Sequence, residues 1–331
     1  MRVLILGANG FIGSALCKRI LADTDWEIEA VDIEADRLAD LECSRLTTTA
    51  RDLREVSKDE LEAAAAWSDV VLPLAAIATP KTYITDPLKV FELDFEANLR
   101  VIRACAETGT RLIFPSSSEV YGTTPGAAKE YETQLTYGPT HKTRWIYACS
   151  KQLLDRVIHA LGDEGLKYTI FRPFNWIGPG LDSLEAPRIG SSRVVTEFIG
   201  NILRGEPMRL VDGGYQCRSF CWIDDGITAL MQILRGGGRL DGHIFNIGNP
   251  VNEASMMELA VLLNGISGKN VPIERVTPEE FYGDGYEDIE RRVADIDLAR
   301  RLLDWQPKVG LEDALRRTWE GMVTDKGAKD E

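Results

Sequence analysis

The 331-residue sequence contains no run of about 18 apolar residues, and no basic stretch with an apolar core at its start. A membrane span and a secretory leader are therefore not expected. Histidine is scarce, at three. The six cysteines, at positions 17, 43, 105, 149, 217 and 221, form no CxxC pair and no Cys/His spacing that suits zinc. No metal site is expected, and the thiols fit a reduced, cytoplasmic protein, with Cys217 and Cys221 expected to be buried in one strand. Positive charge is in deficit. Lys and Arg number 38 against 52 Asp and Glu, a net charge of -14 at pH 7 that disfavours nucleic acid and anionic membranes as partners. Basic residues that cluster in spite of that balance point instead to a small anionic ligand. Internal repeats are also absent. What is present is globular composition, 44% hydrophobic and 27% charged, at about twice the length of an ordinary domain.

In the first half, short apolar runs alternate with longer amphipathic segments, the pattern of strands joined through helices into a parallel sheet. Strands are predicted at Arg2 to Leu6, Glu27 to Asp32, Asp69 to Leu74, Arg111 to Pro115 and Lys167 to Arg172, and helices at Phe11 to Ala22, Lys58 to Ala66, Lys89 to Glu107 and Ile146 to Leu161. Right-handed crossovers make this an α/β fold, a Rossmann-type doubly wound parallel sheet. After Phe174, loops rich in Gly and Pro break the rhythm, and His243 to Ile247 again reads as a buried strand. The expected division is a dinucleotide-binding domain over 1–175 with a return segment near 215–250, and a smaller C-terminal substrate-binding lobe over 176–331. Gly236 to Gly238 reads as a short flexible loop, and the tail from Thr324 as frayed.

The segment from Val3 to Gly13 is an apolar strand running through GxxGxxG into a helix. Gly7 suits a tight turn, Gly10 a close approach of backbone to pyrophosphate, and Gly13 close packing of helix on sheet, with the helix N-terminus facing the phosphates. Asp32 ends the second strand 19 residues after Gly13, where a carboxylate binds ribose hydroxyls and repels a 2'-phosphate. NAD is the expected cofactor. Two alternatives stand beside that reading, a helix-capping Asp32 and an Arg37 that tolerates phosphate. Asp52 is either an adenine contact or a turn residue.

Tyr147 and Lys151 are four apart, on one face of a helix. A phenol is a poor base near neutrality, and an adjacent cation favours its ionised form, which makes proton removal from an alcohol feasible. The same spacing also occurs on ordinary surface helices. The loop Pro115-Ser116-Ser117-Ser118-Glu119-Val120-Tyr121-Gly122 follows a strand at the sheet's carboxyl edge, which places Ser118 to bond a reacting hydroxyl and Glu119 to act as acid or base or to order a cation.

These motifs, together with Arg172-Pro173-Phe174-Asn175 and Leu303-Asp304-Trp305-Gln306-Pro307, resemble an extended short-chain dehydrogenase/reductase acting on a nucleotide sugar, over nearly the whole chain. The segments Leu72 to Pro80, Phe91 to Glu96, Arg144 to Tyr147 and Arg188 to Arg193 are similar to the UDP-glucuronic acid decarboxylase domain of the bifunctional enzyme of aminoarabinose lipid A modification, and more loosely to UDP-xylose synthases. The resemblance implies Ser118, Glu119, Tyr147, Lys151 and Arg292 as catalytic residues. It implies an NAD site that adds Asn9, Phe11, Ile12, Leu53, Leu74, Ala75 and Ala76, with Tyr147 and Lys151, to the residues above. Ser117, Asn175, Arg193, Arg209, Arg218 and Tyr286 become substrate contacts, with Arg218 at the pyrophosphate; taken one by one, such arginines also serve as surface charges and such a tyrosine as core. Asn98 matches a structural Asn of the superfamily, there to hold backbone or water. Two departures stand out. Ser117 replaces the family's Thr, and Cys221 and Trp222 stand where the decarboxylase domain carries Thr and Asp. No formyltransferase counterpart lies within the 331 residues, and the aminoarabinose pathway itself is not implied.

The chemistry implied is oxidation at C4 of UDP-glucuronic acid, loss of carbon dioxide from the 4-keto acid, and release of UDP-4-keto-xylose or UDP-xylose, with the keto product as the major one, by a homodimer paired through the helices 89–107 and 146–161. A UDP-sugar 4-epimerase or 4,6-dehydratase is the rival within the same chemistry. A non-catalytic dinucleotide sensor is the rival outside it, and has no need of the Tyr-x-x-x-Lys pattern.

Overall fold

The structure is a computed structural model that describes residues 1–41, 43–186, 192–284 and 286–327. Seven parallel strands form its central sheet. In spatial order they are Leu46–Ala50 (β3), Glu27–Asp32 (β2), Arg2–Leu6 (β1), Val70–Pro73 (β4), Arg111–Pro115 (β5), Tyr168–Pro173 (β6) and His243–Ile247. Every pairing is parallel, as in β1 with β2 (Val3 opposite Ile28) and β1 with β4 (Val3 opposite Val70). The fold is thus the Rossmann-type doubly wound α/β sheet expected from the sequence. Strand order reverses between β1 and β4, and their carboxyl ends open the crevice where such sheets bind ligands.

Both faces of the sheet are covered, which is why its central strands read as unbroken apolar runs. Val3 and Ile5 pack on one side with the helix Phe11–Asp23 (α1) and the helix Ile223–Gly236. Leu4 and Leu6 pack on the other with Leu61, Val101 and Leu154. The chain re-enters the sheet at His243–Ile247 beside β6, after a second lobe has begun with Met208–Val211 and Cys217–Ser219. Among the described residues, three small sheets lie outside the central one: Met208–Val211 with Ile273–Val276, Cys217–Ser219 between Glu253–Ser255 and Arg291–Arg292, and Trp176–Ile177 with Cys221–Trp222. The Leu303–Pro307 motif ties the lobes together, because Trp305 Nε1 donates to Asp225 O at 2.9 Å and Asp225 Oδ2 accepts from the amides of Lys308 and Val309.

Several expectations are corrected. Strand β3 lies outside the expected set, since its Thr47 to Ala50 are exposed and a polar edge strand lacks the apolar signature. The expected helix Lys89 to Glu107 is three pieces, Pro87–Phe91, a π-helical turn Glu92–Ala97, and Asn98–Thr108. Gly236 closes a helix and Gly237–Leu240 is a 3-10 turn, so this segment is not a free loop. The last helix, Leu311–Gly327, takes in the first four residues of the tail expected to fray, Thr324 to Gly327, and residues 328–331 of that tail lie outside the described residues. Cys217 and Cys221 lie on separate short strands; Cys221 is buried and Cys217 only partly so. Arg188 to Ser191 fall outside the described residues. Among the described residues, no helix is long and apolar enough to cross a membrane, and no cluster of three His, Cys, Asp or Glu could hold a metal ion.

Candidate active site

A cleft of about 1090 Å³ runs along the carboxyl edge of the sheet and into the second lobe, and every cofactor, catalytic and substrate residue expected from the sequence lines it. One end is built of backbone. Gly7 has φ +86°, and a Cβ there would lie 2.4 Å from Ala75 N; at Gly13 it would lie 2.4 Å from Gly7 O. No side chain fits at either position, because β1, the Leu74–Ala76 loop and α1 touch there through main chain, with Ala75 N bonded to Leu6 O. Gly10 differs. Its Cβ would meet only Gly7 O, at 3.3 Å, so its bareness serves the open side. Gly10 is the N-cap of α1 and supplies no side-chain cap, which leaves the first helical amides aimed into the cleft for a pyrophosphate.

Asp32 accepts from Asn9 N at 2.8 Å, and Asn9 in turn bonds Asp36 and the Arg37 amide, which ties the ribose-side carboxylate to the glycine turn. The Arg37 guanidinium is spent on Gly180 O at 2.6 Å. That leaves Asp32 facing the cleft and favours NAD. Asp52 is bound by Arg54 at 2.6 Å, which holds its carboxyl below the usual range, while Leu53 is buried at the cleft wall.

Tyr147 and Lys151 project from the helix Ile146–Asp163. Tyr147 stacks on Tyr83, ring centroids 4.9 Å apart, and its phenol faces the Ser117 hydroxyl. Lys151 Nζ donates to Pro115 O at 3.1 Å, lies 6.0 Å from the centre of the Tyr147 ring, and sits 3.8 Å from the carboxylate of Asp94. Burial and the negative charge of Asp94 push the Tyr147 phenol up, and the Ser117 hydroxyl opposes them. Burial pushes Lys151 down, against the pull of Asp94 and Asp155. Ser118 is buried in the same 3-10 turn as Glu119 and lines the cleft. Asn98 acts on backbone, donating to Leu93 O and Ala75 O, and so fastens the π turn to the Leu74–Ala76 loop.

Beyond Tyr147 lies a charged cluster. Glu119 accepts from Arg292 Nη1 at 2.5 Å through one oxygen and from Arg144 Nη2 at 3.0 Å through the other. Burial pushes its carboxyl up, but Arg144, Arg292 and Arg218 outweigh burial and hold it at about 2. Burial lowers the proton affinity of Arg292. Arg144 Nε and Nη1 and Arg292 Nε have no hydrogen-bond partner among the described residues, although all three atoms are buried. Asn175, held at φ 38°, bonds Ser219 O and reaches Arg292. Arg218 is aimed by Asp288 at 2.7 Å and by Ile289 O at 2.6 Å. Arg193 pairs with Asp182, and Arg209 with Glu197 while lying 4.9 Å over the Phe281 ring. Tyr286 stacks on Tyr282, centroids 3.9 Å apart. Cys221 and Trp222 pack against Trp176–Ile177 and do not line the cleft, so that departure from the family leaves the site itself untouched.

Residues 3–248 match the sequence profile of the NAD dependent epimerase/dehydratase family. The chain belongs to that family. Among solved structures, it is 48% identical to the PbgP3 protein from Burkholderia pseudomallei, with a TM-score of 0.86 over 97% of this chain and 95% of that one. It is 25% identical to the UDP-glucose 4-epimerase of Thermus thermophilus in complex with NAD, with a TM-score of 0.81, 98% of this chain and 99% of that one. The UDP-glucuronic acid 4-epimerase of Bacillus cereus, in complex with UDP-glucuronic acid and NAD, has the same fold, at 24% identity and a TM-score of 0.84 over 98% of this chain and 99% of that one.

This member of the epimerase/dehydratase family is thus an NAD-dependent enzyme of the extended short-chain dehydrogenase/reductase type. Tyr83, Arg144 and Asp288 line the cleft and Asp94 lies buried behind it, all without a role given from the sequence. Asp94 and Tyr83 support Lys151 and Tyr147 from segments more than 50 residues away, and Arg144 completes the clamp on Glu119. Asp288 directs Arg218. Arg144 and Asp94 lie inside segments that resemble the decarboxylase domain, and the sequence carries no other signal of them.

Proposed function

We propose that the protein is an NAD-dependent UDP-glucuronic acid decarboxylase that forms UDP-4-keto-xylose, UDP-xylose or both. The observation that carries the reading is the Glu119 clamp. Two buried guanidiniums face one carboxylate, with three N–H positions unpartnered among the described residues, beside the phenol that begins the reaction. A second carboxylate, that of a uronic acid, balances the positive charge that Glu119 alone leaves on the two guanidiniums.

Gly7, Gly10, Gly13, Asp32 and the Leu74–Ala76 loop would hold the dinucleotide. NAD, when bound, would accept the C4 hydride as the alcohol is oxidised, and could give it back to the ketone in the branch that ends in UDP-xylose. Tyr147 takes the proton of the C4 hydroxyl, with Ser117 sharing the hydrogen bond and Lys151 supplying positive charge. Arg144 and Arg292 hold the sugar carboxylate. Once C4 is a ketone, the C5–C6 bond breaks, its electron pair moves to the C4 oxygen, and carbon dioxide leaves. Tyr147, Ser117 and Ser118 stabilise the enolate oxygen. Glu119, ionised down to about pH 2, orients the two arginines and is no proton source at neutrality. Arg292, whose proton affinity burial lowers, is assigned to give the proton to C5. Arg218 binds the diphosphate, with Arg209 and Arg193 beside it and the Tyr282–Tyr286 stack against the sugar.

Incubation with NAD and UDP-glucuronic acid, with carbon dioxide trapping and product mass, tests this. Pentose products are expected; uronic acid retained with C4 inverted makes the protein a 4-epimerase. Tyr147→Phe is expected to cost about a thousandfold in turnover with NAD binding intact. We further propose a homodimer, because the helices Pro87–Phe91 and Ile146–Asp163 leave Leu88 69% and Leu153 46% exposed; sedimentation as a monomer alone at working concentration removes that proposal.

A further inference from the structure

Asp94 occupies an unusual position for an acid. It is 0% exposed, on the π turn Glu92–Ala97, and faces an ammonium that is 1% exposed. Its Oδ2 accepts from the Ile77 amide at 2.9 Å, which pins the loop following β4. Its Oδ1 has no hydrogen-bond partner among the described residues and lies 3.8 Å from Lys151 Nζ. The wider π turn matters here. Asn98 caps Leu93 O within it, and the carboxylate is thereby turned inward beneath the catalytic helix.

We propose that Asp94 is a positioning residue of the Tyr147–Lys151 pair, a fixed counter-charge that holds the ammonium against Pro115 and couples the pair to the cleft loop at Ile77. This rests on Tyr147 acting as the base. A buried cation without a partner sheds its proton, and a buried carboxylate next to a phenol resists the phenol's ionisation. Asp94 does both things at once. It keeps Lys151 charged and keeps Tyr147 protonated until a ligand adds positive charge to the cleft. The other groups facing this cluster are Tyr83 from the helix Pro80–Thr85, Asp155 from the catalytic helix, Glu119 from the serine loop, and Arg193 from the second lobe. Among the described residues, Asp155 is the only other carboxylate acting on Lys151, and it is already committed to Arg172 at 2.8 Å.

Asp94→Asn keeps an acceptor for the Ile77 amide and removes the charge; Asp94→Ala removes both. Loss of a negative charge lowers the proton affinity of Tyr147 and Lys151 together, so both limbs of the pH profile of turnover should move to lower pH, by about one unit, in the Asn variant. Burial sets the Asp94 carboxyl at about 6, so parent and Asn profiles should converge below that pH and diverge above it. Unmoved limbs with only a scaled rate overturn the proposal, as does an Asn variant that behaves like the parent while Ala does not. A second measurement needs no turnover. In the NAD-loaded protein, tyrosinate absorbance referenced to Tyr147→Phe should rise at lower pH with Asp94→Asn than without it. The same onset in both backgrounds, or none in either below about pH 11, overturns the proposal. If the product assay returns an intact uronic acid, the decarboxylase reading fails and this titration still decides the role of Asp94.

Discussion

The two ends of the cleft are made of different material. The dinucleotide end is main chain, with Gly7 and Gly13 in contact with neighbouring backbone and the bare N-terminus of α1. The sugar end is side chain, where Glu119, Arg144, Arg292, Arg218 and Asp288 converge from segments far apart in sequence. Backbone sterics tolerate almost no substitution, whereas a charge network is altered one pair at a time. The first end therefore defines a family, and the second a reaction.

Substitutions that exchange these properties should break the contrast in order of size. Gly7→Ala forces a Cβ into the Ala75 backbone at a left-handed φ, and should destabilise the fold by about 3 kcal/mol and abolish NAD binding, read by denaturant midpoint and calorimetry. Arg292→Met should lower decarboxylation about a hundredfold while NAD affinity stays within about twofold, seen in carbon dioxide release. The same variant has a pH signature. Glu119 at about 2 lies below its unfolded value of about 4.3, so its ionised form stabilises the fold above that value and the contribution is lost as pH falls towards 2. With Arg292 gone the shift shrinks, and acid unfolding should begin at higher pH. Gly10→Ala sharpens the comparison from the other side. Its Cβ meets only Gly7 O at 3.3 Å, so melting should fall far less than in Gly7→Ala while NAD affinity drops about tenfold. Arg209→Ala, half-exposed and paired with Glu197 at 3.4 Å, should raise KM for the nucleotide sugar only about threefold.

The same contrast explains what the sequence could tell. The glycine turn, Asp32, and the four-residue step from Tyr147 to Lys151 are local patterns, and each is found where the pattern puts it. The positions of strands β1, β2, β4, β5 and β6 along the chain follow from alternation alone. Strand β3 escapes because its exposed threonines carry no apolar period, and the π turn at Glu92–Ala97 because a wider turn is set by Asn98 bonding Leu93 O and Ala75 O. Asp94 and Lys151 are 57 residues apart, and Glu119 and Arg292 are 173 apart, distances at which no spacing rule operates. The turn of Ser117 towards Tyr147, with Ser118 in the 3-10 turn beside Glu119, depends on the loop's geometry and not on its letters.

Asp155, four residues after Lys151, accepts from the Ser116 hydroxyl at 2.9 Å and from Arg172 of β6 at 2.8 Å, and Arg172 also bonds the Tyr121 hydroxyl at 2.8 Å. The serine loop, the helix of Tyr147 and the sheet are knotted together by groups that belong to none of the second lobe's own sheets. Substitutions within those small sheets therefore leave the knot, and the helix that carries Tyr147 and Lys151, in place.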